Sequence, residues 1–75
     1  MTTFRDHVVS TLAPYVGQAV ADTCVRVTAI SLGKTTDTLM ADDYPVLENN
    51  VRRLLGPVAP SNVIADLLHT IERGS

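Results

Sequence analysis

QAVADTCVRVTAISL, residues 18 to 32, decides the fold. Its second half, VRVTAISL, is rich in β-branched side chains and has the composition of a strand, whereas over the whole stretch Val20, Cys24, Val27 and Ser31 fall on one helical face. Nothing else in the chain reads as a strand, and a lone strand leaves its backbone N–H and C=O groups without partners. Length and isolation therefore predict a helix over 18 to 32; a strand at residues 24 to 31 would need a second chain beside it. Ala19, Ala21, Thr23, Thr28 and Ala29 are small enough to let neighbouring helices approach closely.

On the N-terminal side, residues 3 to 13 read as a first helix, with Phe4, Val8, Leu12 and then Tyr15 at helical spacing and Arg5, Asp6 and Ser10 opposite. Thr2 or Thr3 can cap it, Pro14 is expected to stop it, and Gly17 closes the connection. On the C-terminal side, residues 43 to 55 carry Tyr44, Leu47, Val51, Leu54 and Leu55 at helical spacing. Asp42, Asp43 and Pro45 suit the start of that helix, Arg52 and Arg53 its last turns, and Gly56 and Pro57 its stop. A final helix over 61 to 73 takes Ser61 or Asn62 as cap, Ile64, Leu67, Leu68 and Ile71 as its core stripe, and Gly74 as its end. Short connections favour antiparallel neighbours, so the third and fourth helices are expected to pair as a hairpin. The fold class is all-α, four short helices in one compact bundle, a single domain over residues 1 to 75.

A chain of 75 residues buries roughly 60 to 65% of its unfolded surface, which leaves room for one small core. Cys24 is its single cysteine, so no internal disulfide reinforces that core. The thin margin makes a second subunit an attractive source of stability. One thiol also fits a cytoplasmic protein better than a secreted one, and the start, MTTFRDHVVSTLAPYV, has Arg5, Asp6 and His7 where a signal peptide needs an apolar run. No stretch approaches the apolar length of a membrane span.

Charge excludes more than it suggests. Six basic residues against eight acidic ones are scattered along the chain, and the only lysine is Lys34. Nucleic-acid binding leaves a basic stripe, and none is visible. The third helix, the turn GPVAP and the fourth helix do share the outline of a helix-turn-helix, which makes a DNA-binding regulator the alternative reading. Its recognition helix would begin SNVIAD, with Ser61 and Asn62 but no cation before Arg73, and with Asp66 facing phosphate.

Gly33-Lys34-Thr35 resembles the end of a phosphate-binding loop. Five residues before Gly33 stands Thr28 in place of the required glycine, and TAISL between them belongs to a regular element. Gly33 and Lys34 are better read as the stop of the second helix, a glycine free to take positive φ and a cation near the negative end of the dipole. His7, Cys24 and His69, with Asp22 or Asp66, have no recognised metal-ligand spacing, and Cys24 reads as a small buried apolar group. Asp42 and Asp43 serve a helix start better than acid–base chemistry.

The expected function is thus a small cytoplasmic protein–protein interaction or oligomerisation module without catalytic activity, metal or cofactor. Its partner is a protein, another copy of itself first among the candidates. Val9, Leu39, Met40, Val46 and Val58 are apolar residues outside the core stripes, and of these Val9, Leu39, Met40 and Val46 are expected at the contact surface, with Met40 the most adaptable.

Overall fold

The computed structural model describes residues 3–73. They form four α-helices, α1 (Phe4–Val16), α2 (Gln18–Leu32), α3 (Tyr44–Leu55) and α4 (Ser61–Arg73), with two short 3-10 turns, Thr36–Thr38 and Ala41–Asp43, between α2 and α3. No strand occurs among the described residues. The strand-like half of residues 18 to 32 is helical throughout, and its hydroxyls show how. Thr23, Thr28 and Ser31 each donate to the carbonyl four residues back, Ala19, Cys24 and Val27, at 2.8 to 2.9 Å. Bonding back along the helix gives each hydroxyl a partner while the segment stays helical.

The helix ends follow the sequence with three corrections. Thr3 caps α1 by accepting the Asp6 N–H at 3.1 Å; Thr2 and Gly74 lie outside the described residues. Pro14 does not stop α1, which runs on to Val16. Proline removes one intrahelical bond, the one to the Ser10 carbonyl, and Ser10 is exposed to water that can replace it. Gly17, at φ 89°, ends α1 and starts α2, donating to Ala13 at 2.8 Å and accepting from Ala21 at 3.1 Å. Gly56 is not a left-handed stop: it keeps right-handed helical angles, and the turn continues as Val58 and Ala59 donate to the Leu55 carbonyl. Ser61 and Asn62 sit inside the first turn of α4, and the Pro60 carbonyl receives the Val63 and Ile64 N–H groups at the capping position instead.

The helices follow one another around a ring, α1 against α2, α2 against α3, α3 against α4, and α4 back against α1. One cluster of buried side chains joins them: Val8 and Leu12, Cys24 and Val25, Leu47, Val51 and Leu55, Ile64, Leu68 and Ile71. On α2 the buried face is Ala21, Cys24, Val25, Thr28 and Ala29, turned from the expected one, so that Val20 and Ser31 are exposed. Tyr15, expected in the core stripe of α1, is also exposed. The observed face uses the small residues of α2, which lets α1 and α3 pack closely on either side of it.

Two polar contacts fix the register of α2 and α3. Near the base, Lys34 Nζ meets Asp43 Oδ2 at 2.9 Å; further along, Asn50 Nδ2 donates to Thr28 Oγ1 at 3.0 Å. Going back along α2 therefore means going forward along α3, and the two helices are antiparallel. The third contact is between α3 and α4, where the Tyr44 hydroxyl donates to the Leu68 carbonyl at 3.2 Å. Tyr44 is about 17 Å from the end of α3 and Leu68 about 10 Å from the start of α4, at 1.5 Å of rise per residue. A near-perpendicular crossing would separate them by roughly 20 Å, beyond a tyrosine side chain, so these helices pair as an antiparallel hairpin and lack the crossing of a helix-turn-helix. The bundle is up-down-up-down.

Candidate interaction surface

The register defines one end of the bundle. Eight residues back from Thr28 along α2 is Val20, and eight forward from Asn50, through the continuing turn, is Val58. The α1–α2 reversal at Gly17 brings Tyr15 to the same end. All three side chains face water: Tyr15 is 52%, Val20 38% and Val58 71% exposed. Pro14, Ala19, Pro57 and Pro60 around them are exposed as well.

This end carries no charge. Residues 8 to 21 and 54 to 65, the two stretches that run through its turns, contain no Asp, Glu, Lys, Arg or His. The nearest ionisable groups, Asp22, Arg52, Arg53 and Asp66, sit on the helices one step back and include both signs. Ion pairs form elsewhere: Arg5 contacts Asp6 at 3.0 Å and Asp37 at 3.4 Å, and Lys34 contacts Asp43.

The residues expected at a contact surface do not gather into one. Leu39 is buried at 5% exposure and belongs to the core, because the 3-10 turn before it folds the loop back over the bundle. Val9 is half-buried and packs against the core, and Val46 is half-buried on α3. Met40 is exposed. Ile30, also exposed, lies on the outer face of α2 four residues after Arg26. Tyr15 and Val20 were hidden from sequence reasoning by their fit to helical stripes. The absence of charge from both turn stretches was the signal that could have found this surface.

Lys34 is committed to structure. Gly33 has φ 67° and, with Lys34, closes α2 through paired bonds, Gly33 N–H to Ile30 at 3.1 Å and Lys34 N–H to Ala29 at 2.9 Å. The ammonium then holds the Asp43 carboxylate with both oxygens, at 2.9 and 3.1 Å, while Asp43 also accepts the Met40 N–H at 2.9 Å. The Lys34 hydrogen bond, reinforced by that of Met40, holds the Asp43 carboxyl below the usual carboxylate range. The clasp uses the lysine and buries the aspartate that sequence reading had given only a helix-dipole role.

Other chemistry finds little support. No group of three or more His, Cys, Asp or Glu side chains is placed to hold a metal ion among the described residues. Cys24 is fully buried, which pushes its thiol up, away from the nucleophilic thiolate. Arg52 is paired with Glu48 at 3.2 Å and Arg53 donates to Asn50 at 3.1 Å. A shallow cleft of about 350 Å³ lies between Ala41, Asp42, Tyr44, Pro45 and Glu72. Burial, with Glu48 and Glu72 nearby, raises the Tyr44 phenol, which stays protonated and donates to α4. No described helix is long and apolar enough to cross a membrane. Compared with known proteins, the chain matches no family model, no curated protein and no solved structure.

Proposed function

We propose that this chain is a non-catalytic protein-binding module and that the uncharged end of its bundle is the contact surface. The observation that carries the reading is that exposed Tyr15, Val20 and Val58 lie toward the end where two chain stretches free of Asp, Glu, Lys, Arg and His meet. Interface cores are depleted of charge and favour tyrosine; these stretches carry no charged side chain, and Tyr15 is exposed. A cytoplasmic setting suits a chain whose one thiol is buried and whose stability rests on one small core.

The test is site-directed photo-crosslinking. A benzophenone side chain placed at Tyr15 or at Val58 should give a protein adduct in cells, and the same probe at Ile30 should not. Adducts from position 30 with none from 15 and 58 would overturn the assignment of the surface. No adduct from any of the three would overturn the binding role itself.

A further inference from the structure

We infer that the occupant of this end is a second copy of the chain, docked end to end about a twofold axis. The inference rests on the interaction surface proposed above and names its partner. Charge is the first argument. A surface with no charged side chain offers a charged partner nothing to pair with, and desolvating a partner's charge against it is costly. It is complementary to another surface of the same kind, and the same end of a second copy is one. Any other face of that copy brings charged residues, all of which lie outside residues 8 to 21 and 54 to 65.

The rim supports the same geometry. Behind the uncharged end stand two acids, Asp22 and Asp66, and two bases, Arg52 and Arg53, so a twofold approach sets rims without net charge against each other. Each chain has a formal charge of −2, and docking by the uncharged ends keeps Asp37, Asp42, Asp43 and Glu72 as far apart as this shape allows. In an isologous contact Val58 of one copy meets the end of the other and the reverse, so one substitution is felt twice.

Area sets the strength. The molecule measures 29 × 23 × 21 Å, so one face of it offers on the order of 400 Å² per copy, about half of what a standard stable interface uses. A face of that size predicts a weak, reversible dimer. With no ion pair at its centre, salt should not weaken it.

Sedimentation equilibrium of the purified chain tests this up to about 1 mM. The weight-average mass should rise from 8.1 kDa toward twice that value with concentration, equally at low and high salt. Val58→Glu should hold the mass at the monomer value, a weakening of at least about tenfold. Ile30→Glu, an exposed position away from this end, should leave the rise unchanged, and circular dichroism should confirm that both variants are folded. A constant monomer mass for the wild-type chain would overturn the inference, as would a dimer abolished by Ile30→Glu and not by Val58→Glu. A wild-type monomer whose positions 15 and 58 still crosslink to another protein removes the second copy and leaves the surface; a monomer without adducts removes both.

Discussion

The Asn50 amide donates to the Thr28 hydroxyl at 3.0 Å in the interior of the bundle, 22 residues away along the chain. Thr28 passes its own hydrogen to the Cys24 carbonyl at 2.8 Å, and the Asn50 oxygen receives Arg53 at 3.1 Å, so both buried groups are satisfied. A polar pair in an apolar core favours one register, because sliding α2 against α3 by a residue would leave the buried Asn50 N–H group without its Thr28 acceptor. That register puts Val20 and Val58 toward the same end of the bundle.

Removing both halves of this pair should cost less than the two single removals added together. Thr28→Val keeps the shape of the side chain and leaves the buried Asn50 amide without its acceptor, a loss of roughly 1 to 3 kcal/mol. Thr28→Val combined with Asn50→Leu should cost less than the sum of the two single changes, with a coupling of about 0.5 to 3 kcal/mol by chemical denaturation. Strict additivity would mean that the contact does not hold the register.

The Lys34–Asp43 clasp should show itself in acid. Asp43 is depressed in the folded chain, so its contribution is present above the unfolded value, about pH 3.9, and is lost as pH falls through the folded one. Lys34→Met removes the main cause of the depression. The stability difference between wild type and Lys34→Met should therefore be largest near neutral pH and shrink below about pH 4. A difference that stays constant down to pH 2 would count against the clasp.

Leu39 and Met40 are neighbours with opposite fates. Leu39→Ala should destabilise by roughly 2 to 5 kcal/mol, enough to unfold a domain this small, because it empties a core position. Met40→Ala should stay within about 0.5 kcal/mol of wild type. Equal effects in a thermal melt would contradict the burial of Leu39.

Gly33→Ala should cost about 1 to 2 kcal/mol, since alanine must enter the left-handed region at φ 67° while nothing around the position crowds a Cβ. A variant as stable as wild type would show that α2 can end another way.

Much of this fold was legible in residue spacing. α2 and α4 have the expected bounds, and the stripe Leu47, Val51 and Leu55 is the core face of α3. Gly33 ends α2 as expected, because a left-handed closure needs a glycine and one stands there. What spacing did not reveal was rotation. Val20 and Ala21 are adjacent in α2, and periodicity alone does not say which of two neighbouring stripes faces inward; hydrophobicity favoured Val20, while close packing selected the smaller Ala21. Leu39 was misplaced for a related reason: a loop of threonines and aspartates gives no sign that one leucine in it turns back into the core. The candidate surface depended on both errors. Once Tyr15 and Val20 are outside the core and Leu39 is within it, the exposed apolar groups move from the loop to the opposite end of the bundle.

Methyl chemical shifts followed on dilution test the central claim most directly, because they report on each exposed side chain at once. If two copies meet by their uncharged ends, diluting the chain from about 1 mM should shift the methyls of Val20 and Val58 together along one binding curve while those of Ile30 and Met40 stay fixed. Movement of Ile30 or Met40 with Val20 and Val58 unchanged, or no movement of any of the four, would contradict it.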